Sequence, residues 1–319
     1  MQNTKFNRDW YDKEAIIMKE TPYYYIIKYS CNNSGTIMDY KVFPGINLVF
    51  MDFKSSKIFD EPIPNRDIID IRHYREGRVE FEFENHKVFY MQEDEFCINS
   101  IANTPAKFSF PFKRCSGVSI LIDEESINED TCNMFSSFGI NLKELVSKLK
   151  LECSWYICKT PKFLLHIFNE FYNYKGEKSI NYFKIKIVEL LYHLNNLNIE
   201  DYFSTTYYSK EHIKIVKRVH KKMIENLDTK IPLGTLLLKE DISMATFQTI
   251  FKQIYGNSPY AYLKNYKMNF AAAKLREKNM TISQIAISLG YNNASKFSKA
   301  FRDILGILPK DYRSRKNFN

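Results

Sequence analysis

Two segments near the C-terminus place polar and basic side chains along one side of a predicted helix. Apolar residues recur at helical spacing in residues 243–254 and again in residues 294–305, so the positions between them must point outward. The outward positions include Ala245, Gln248, Thr249 and Lys252 in the first helix and Ser295, Lys296, Lys299 and Arg302 in the second. Amide, hydroxyl and cationic groups of this kind hydrogen-bond to base edges and to phosphates. The two faces therefore suit contact with a nucleic acid.

The framework that carries these two faces is repeated. Five residues recur fifty positions later with the same side chain, and a shared offset of this kind indicates an internal duplication. The pairs are Phe247 and Phe297, Phe251 and Phe301, Gly256 and Gly306, Pro259 and Pro309, and Tyr262 and Tyr312. Each copy is interpreted as the second half of a helix-turn-helix with its closing segment. Two such units in one chain predict a protomer that grips two successive major grooves of DNA.

Positive charge is concentrated in the same part of the chain. Residues 208–319 contain 21 Lys and Arg against 8 Asp and Glu, whereas residues 1–207 contain 25 against 29. A basic C-terminal block beside a mildly acidic N-terminal block favours a polyanion as the partner of the former. The length of 319 residues is enough for two domains, and the composition is ordinary for a globular protein.

Residues from about 20 to 122 are predicted to be mostly β. The stretch Arg78–Glu84 strictly alternates apolar and charged side chains, which is typical of a strand with one wet face. Other runs separated by turn signals predict further strands. The predicted strands are Tyr23–Ser30, Gly45–Phe53, Ile68–Tyr74, Gly77–Glu84, Lys87–Gln92, Phe108–Phe112 and Ser116–Ile122. Several short strands with frequent turns favour a sandwich or a small barrel over residues 1–122.

Residues 123–196 are predicted to be helical. Asp123–Ser126 suits a helix start, and helical spacing continues through Leu142–Leu149, beyond Pro161, and over Asn181–Asn195. The wide apolar stripe of the last helix predicts a face packed on the β domain, with a dimer seam of antiparallel helices as the alternative. The polar stretch 197–209 is interpreted as a linker to an all-α domain over residues 210–319.

The second repeat is the most specific part of the chain. Its sequence from Thr281 to Arg313 reads TISQIAISLGYNNASKFSKAFRDILGILPKDYR, with the small Ala286 four residues before Gly290. This closely resembles the signature of the AraC/XylS family of bacterial transcription regulators, and the resemblance extends over about residues 210–315. It implies that the two segments described first are recognition helices lying in the major groove. It further implies base-facing roles for Ala245, Gln248, Thr249, Ser295, Lys296 and Lys299, and phosphate contacts for Lys252 and Arg302.

The first repeat departs from the family pattern. Leu237 stands where the family usually has Ala, and Asp241 stands where Gly is usual. Asp tolerates a left-handed backbone better than most residues, so a looser turn is expected there. Gln248 suits adenine, and Ala245 and the Thr249 methyl group suit the thymine methyl, which predicts an A·T-rich half-site under the first helix.

The resemblance also implies an N-terminal cupin-like β barrel, giving an α+β chain. Ile71–Ser100 is similar to the central strands of such a domain, although Gln92-Glu93-Asp94 occupies the place where Pro-Gly-Asp is usual. A barrel of this size can hold one small ligand, so we expect an effector to bind there and shift the DNA-binding domains. A regulator without effector, whose β domain only dimerises, is the alternative. The resemblance favours a homodimeric activator, with RNA polymerase as a further partner.

Enzymatic and metal chemistry find little support in the sequence. The six cysteines form no Cys-x2-Cys pair, so reduced, buried thiols are expected and a redox or metal-sensing role is the alternative. A cupin-type metalloenzyme needs clustered ligands, and His73 and His86 stand alone; a methyl-acceptor repair protein would need clustered reactive cysteines. We expect no catalytic residues, metal or cofactor. The sequence shows neither a signal peptide nor a long apolar span, so a cytoplasmic protein is expected.

Overall fold

The computed structural model of the protein describes residues 11, 15–29, 35–55, 58–60, 68–83, 87–100, 105–149, 151, 155–174, 180–197, 208–229, 231–277 and 279–314. The chain divides into two compact units, residues 1–207 and residues 208–319. The predicted turn at Asn85–His86 and most of the predicted linker, residues 198–207, lie outside the described residues. None of the helices in the described ranges combines the length and apolar character that crossing a membrane requires.

The first unit contains two antiparallel sheets in its described part. Its strands are β1 Ala15–Glu20, β2 Tyr24–Tyr29, β3 Gly35–Phe43, β4 Ile46–Phe53, β5 Ile58–Asp60, β6 Ile68–Gly77, β7 Val79–Glu82, β8 Lys87–Met91, β9 Glu95–Ser100, β10 Lys107–Ser109, β11 Cys115–Asp123 and β12 Tyr156–Lys159. The larger sheet has the order β1–β2–β3–β4–β11–β6–β9–β12, and the smaller has the order β8–β7–β10–β5 within this unit. The predicted β-rich N-terminal region is thereby confirmed, and its cupin-like character stays a prediction.

The larger sheet is covered on both faces because its strands bury alternate side chains on opposite sides. In β4, Leu48 and Phe50 face a core that includes the helices of this unit. Val49 and Phe53 face a second core, which includes Phe81 and other residues of the smaller sheet. The predicted alternation of β7 is confirmed, since Val79 and Phe81 are buried while the intervening glutamate is only half-buried. The first unit is therefore a layered structure of helices, sheet and sheet.

The helices of the first unit differ from the prediction at their start. They are α1 Glu129–Ser137, α2 Leu142–Leu149, α3 Lys162–Asn173 and α4 Ile180–Asn195. The predicted helix start at Asp123–Ser126 is wrong: these residues end β11 and form a 3-10 turn, and no side-chain cap is present there. The side chain of Asn128 instead accepts a hydrogen bond from the backbone N–H of Thr131 and begins α1.

Two further findings concern residues 123–196. The segment is not wholly helical, because β12 pairs with β9 along the edge of the larger sheet. The apolar stripe of α4 is buried inside the unit, as predicted for a packed face, and these side chains are therefore not exposed as a dimer seam. The stripe consists of Phe183, Ile187, Leu190, Leu191 and Leu194.

The second unit is helical apart from a two-residue strand, β13 Tyr208–Ser209, and contains both predicted helix-turn-helix units. Its helices are α5 Lys210–Glu225, α6 Leu233–Leu237, α7 Met244–Tyr255, α8 Pro259–Glu277, α9 Ile282–Ser288, α10 Ala294–Leu305 and α11 Pro309–Ser314. Helices α6 and α7 form the first helix-turn-helix, α9 and α10 form the second, and α8 connects them. The predicted α+β organisation of the chain is thereby confirmed.

Candidate nucleic-acid interface

Helix α7 is fixed by local signals at both ends and by one buried side. The Ser243 hydroxyl accepts a hydrogen bond from the backbone N–H of Thr246, and Gly256 ends the helix with a left-handed φ of 85°. Its buried side consists of Phe247, Ile250, Phe251, Ile254 and Tyr255. Ala245, Gln248, Thr249 and Lys252 lie on the other side and are exposed. The structure thus places the four predicted contact residues of this helix on one open surface.

Helix α10 repeats this arrangement with different surface chemistry. The Asn293 side chain accepts a hydrogen bond of 2.8 Å from the backbone N–H of Lys296, and Gly306 ends the helix with φ 73°. Phe297, Ala300 and Phe301 are buried. Ser295, Lys296, Lys299 and Arg302 are exposed. The second face therefore carries three cationic side chains, whereas the first carries one.

The turns of the two helix-turn-helix units differ in backbone conformation. In the second, Gly290 adopts φ +75°, and the following backbone N–H of Tyr291 returns to the carbonyl of Ala286. In the first, Asp241 does not adopt the left-handed conformation, because the non-glycine residues with positive φ in the described ranges are Asp94 and Lys113. The turn at Asp241 therefore exists, as predicted, but without the left-handed residue that Gly290 supplies in the second unit. This turn closes instead through a hydrogen bond from the backbone N–H of Ile242 to the carbonyl of Glu240, of 2.9 Å.

Two contacts join the second helix-turn-helix to the rest of its unit. Lys267 of α8 is only 8% exposed, and its ammonium donates a hydrogen bond of 2.9 Å to the carbonyl of Leu289. That carbonyl lies at the C-terminus of α9, where the helix dipole favours a cation. A Cβ atom added to Gly290 would lie 2.5 Å from the carbonyl oxygen of Asp228, in the loop after α5. The turn at Gly290 therefore packs directly on the backbone of the loop after α5.

The imidazole of His220 on α5 contacts α7, which carries the first face, and the following helix α8. The His220 ring of α5 stacks on Tyr255 at 4.1 Å between ring centroids, and its Nε2 lies 3.0 Å from the hydroxyl of Tyr262. Burial lowers the pKa of His220 from 6.5 to about 4, so the ring is neutral at physiological pH. The side chain therefore contributes packing and a hydrogen bond rather than positive charge.

A basic cleft of about 690 Å³ lies within the second unit, between the two helix-turn-helix units. Its lining includes Gln248 and Lys296, one from each predicted reading face. Tyr260 and Lys264 of α8 also line it, and neither was predicted from the sequence as a contact residue. Apolar side chains are distributed around several sides of α8, so its periodicity does not isolate a wet face. Tyr260 directly follows Pro259, which opens the helix, and Lys264 lies one turn later; this position was the signal available in the sequence.

The described residues hold no group of three or more His, Cys, Asp or Glu side chains placed to bind a metal ion. In the first unit His73 is 1% exposed, stacks on Phe168 at 4.4 Å, and lies 3.0 Å through Nδ1 from the Tyr172 hydroxyl. Its Nε2 has no hydrogen-bond partner in the described part of the chain, and burial lowers its pKa to about 4. Burial raises the pKa of the Cys158 thiol to about 12, which makes it unreactive.

Comparison with known proteins places the second unit among helix-turn-helix domains. Residues 239–315 match the family described as "Helix-turn-helix domain". A protein of Streptomyces lividans named as an AraC-like transcription regulator is 42% identical over 72 residues, which cover 23% of this chain and 24% of that protein. The Transposon Tn10 TetD protein of Escherichia coli is 28% identical over 105 residues, which cover 33% of this chain and 76% of that protein.

A solved structure gives a similar partial match. The C-terminal domain of AraT, a response regulator from Geobacillus stearothermophilus, is 24% identical with a TM-score of 0.30, and the match covers 33% of this chain and 93% of that one. The match with the Streptomyces protein spans only 24% of that protein's length. Both Streptomyces relatives are named as AraC-like transcription regulators. Residues 239–315 are therefore similar to the helix-turn-helix domain of AraC-like transcription regulators.

Proposed function

We propose that the protein is a transcription regulator that binds double-stranded DNA at a specific sequence through α7 and α10. The observation that carries this proposal is the pair of exposed helix faces on one repeated scaffold, within a domain that matches helix-turn-helix proteins. The second helix of a helix-turn-helix enters the major groove, and two such helices in one unit suit two successive grooves. The location that follows from a DNA partner is the cytoplasm.

Each face has a different part in this proposal. Ala245, Gln248 and Thr249 read bases under α7, where their chemistry favours A·T pairs. Ser295, Lys296 and Lys299 face bases under α10. Lys252 and Arg302, which occupy equivalent positions in the repeat, contact phosphates and fix the register of the protein on the duplex. Because the second face holds more positive charge, the protein reads an asymmetric site.

The first unit is proposed to bind a small-molecule effector and to form a homodimer. The buried imidazole of His73 supports an effector, since its Nε2 is a polar atom without a hydrogen-bond partner among the described residues. Activation is supported by two relatives that are named as an activator or a positive regulator, one of them the "F1 operon positive regulatory protein" of Yersinia pestis, and an activator would have RNA polymerase as a further partner. A first unit that only dimerises, without an effector, is the competing arrangement.

Selection of duplexes from a random pool by the full chain tests the DNA-binding proposal. We expect one enriched asymmetric site with an A·T-rich half. The variant Gln248→Ala should relax the preference at one position of that half by about 1–3 kcal/mol, because it removes a bidentate amide contact. Gln253→Ala, on the same helix, is the matched control and should leave the preference unchanged. A selection without enrichment, or a G·C-rich half-site that depends on Gln248, would contradict the proposal.

A thermal-shift screen of the full chain against cell metabolites tests the effector. A ligand that binds only the folded state raises the unfolding temperature, and its stabilisation grows with the logarithm of its concentration above the dissociation constant. We expect at least one metabolite to do so and to change DNA affinity at the same time. A compound that stabilises the protein without changing DNA affinity would favour the effector-free arrangement.

A further inference from the structure

The basic cleft of the second unit is strongly biased in charge. Four lysines line it, Lys222, Lys264, Lys267 and Lys296, and none of the described residues in its lining is Asp or Glu. They belong to three different helices, α5, α8 and α10, which lie far apart in sequence. A concave surface lined by one sign of charge concentrates counter-ions of the opposite sign. Two of these lysines already have partners, since Lys222 lies 3.6 Å from Glu240 and Lys267 bonds to the Leu289 carbonyl, so the attraction of the cleft for an anion comes mainly from Lys264 and Lys296.

The walls of the cleft are held at a fixed separation. The hydrogen bond from the Lys267 ammonium to the carbonyl of Leu289 connects α8, the floor helix of the cleft, to the end of α9. Gly290, which follows α9, packs on the Asp228 carbonyl in the loop after α5 and so connects the α9 side of the cleft to the α5 side. A contact of this kind leaves no room for the two halves to close further. The width of the cleft is thus a property of the folded unit rather than of a mobile surface.

Tyr260 stands at the cleft without a role in packing the core. Its side chain is 81% exposed, although an aromatic ring of this size is ordinarily at least half covered. It directly follows the buried Pro259 at the start of α8, and Lys264 lies one turn further along the same helix. Residues one turn apart project from the same side of a helix. Tyr260 and Lys264 thus project from the same side of α8 and both line the cleft.

We propose that this cleft is a third DNA contact, which seats the sugar-phosphate backbone between the two major grooves, with Tyr260 and Lys264 as its contact residues. The inference rests on the proposed function, because Gln248 and Lys296 line the cleft and are proposed to face bases on either side of it. Successive major grooves lie about 10 base pairs apart on one side of the duplex, so the backbone must cross between them. Phosphates in that position meet the floor helix.

This contact positions the duplex rather than reading its sequence. Phosphate contacts fix register and add affinity without sequence information. Lys264 and Tyr260 should therefore contribute equally on selected and on random duplexes. A duplex seated on α8 contacts the exposed faces of α7 and α10 at the same time. Binding is therefore strongest when these two helices are separated by the distance between successive major grooves.

Phosphate ethylation interference on the selected duplex tests the proposal directly. We expect interference at phosphates about five base pairs from the centre of each half-site, midway between the two major grooves. In Lys264→Met this midway interference should disappear, while interference beside the half-sites persists. Lys274→Met is the matched control, since it removes the same charge from the same helix about 15 Å further along and outside the cleft.

Salt titration supplies the second measurement. Removing one phosphate contact should lower the slope of log Kd against log salt by about 0.9 and weaken binding about fivefold at about 0.15 M salt, on selected and random duplexes alike. Tyr260→Phe should weaken binding roughly two- to tenfold through the lost hydroxyl. The control should retain the wild-type slope.

The outcomes separate this inference from the proposed function. If wild-type protein selects no duplex, the proposed function itself fails. If it binds a specific site but Lys264→Met keeps the midway interference and the salt slope, the cleft does not contact DNA and the inference is overturned. If inorganic phosphate alone stabilises the wild type against heat at micromolar concentration, and Lys264→Met loses this effect with an unchanged salt slope, the cleft serves a free phosphate and the inference is likewise overturned.

Discussion

The variant Gly290→Ala tests two separate reasons why a turn can require glycine: a left-handed backbone and the lack of space for a Cβ atom. Gly290 has a left-handed backbone, with φ +75°, and its position for a Cβ atom is 2.5 Å from the carbonyl oxygen of Asp228. Gly306 has nearly the same backbone, with φ +73°, but its Cβ position has no atom within 4 Å. The two glycines lie in the same unit. Alanine at Gly306 therefore adds only backbone strain, whereas alanine at Gly290 adds strain and a steric conflict.

The expected magnitudes follow from this geometry. A left-handed conformation costs a non-glycine residue about 1–2 kcal/mol, which is the full expectation for Gly306→Ala. Relieving the contact with Asp228 requires backbone to move, and overpacking of this kind costs about 1–3 kcal/mol more. Gly290→Ala should therefore lower the free energy of unfolding of the second unit by roughly 2–5 kcal/mol. It should also spread the two helix-turn-helix units apart and weaken DNA binding beyond what lost stability explains.

The chain offers an internal control for the measurement. Both tryptophans, Trp10 and Trp155, belong to the first 207 residues, and residues 208–319 contain none. In urea unfolding of the full chain, tryptophan fluorescence reports on the first unit, whereas far-ultraviolet circular dichroism is dominated by helices. We expect Gly290→Ala to shift the circular-dichroism transition more than Gly306→Ala does, and to leave the fluorescence transition in place. Equal shifts for the two variants would show that the Asp228 contact contributes nothing and would refute the reasoning.

Three further outcomes are expected. Lys267→Met should broaden the tolerated spacing between the two half-sites by at least one base pair in a binding assay with spacing variants, because it removes the hydrogen bond that holds α9 to α8; an unchanged spacing profile would argue against this role. Lys299→Met should lower the salt slope of DNA binding by about 1 if it meets a phosphate, and should leave the slope unchanged if it reads a base as proposed. The folded pKa of His220 is about 4 against 6.5 in the unfolded chain, so the unfolded chain binds more protons between these values and stability is lost as the pH falls from about 6.5 to about 4. His220→Phe should reduce this acid loss in the circular-dichroism transition, and an identical loss in the variant would contradict the cause.

The second unit was predictable because its signals are local. Each of α7 and α10 is defined by an N-cap, by the helical spacing of its buried side chains and by a terminal glycine, all within a short stretch of chain. The predicted bounds of both helices therefore agree closely with the structure. The capping box at Thr281 and Gln284 is equally local. Such signals require no knowledge of distant residues.

The first unit was less predictable because distant residues decide its strands. Strands β1, β3, β5 and β9 were not predicted individually, and β12 was missed within a helical region. In β3 the buried Asp39 breaks the apolar pattern, and its partners are the Tyr11 hydroxyl at 2.6 Å and the Asn47 amide at 2.7 Å. Burial raises the pKa of this carboxyl to about 6, while the hydrogen bonds from Tyr11 and Asn47 and the charge of Lys41 act in the opposite direction. Neither partner is visible from the sequence of β3.

The basic cleft escaped prediction for the same physical reason. Its lysines come from three helices, and only the folded unit brings them together. Hydrophobic spacing assigns Lys264 merely to a connecting helix, where a solvated charge is ordinary. A lysine's position relative to a second, distant helix decides whether it contributes to a binding surface.

The two copies of the repeat share their scaffold but differ in their exposed faces. The two recognition helices share buried phenylalanines, side-chain N-caps and left-handed glycine ends, so the scaffold is duplicated. Their open faces differ, with an amide, a hydroxyl and one lysine on α7 against two lysines and an arginine on α10. Each face has one proposed phosphate contact at the equivalent position, Lys252 on α7 and Arg302 on α10, so both helices should be anchored to the duplex in the same way. The two halves of the repeat therefore share their anchoring and differ in the bases that they read.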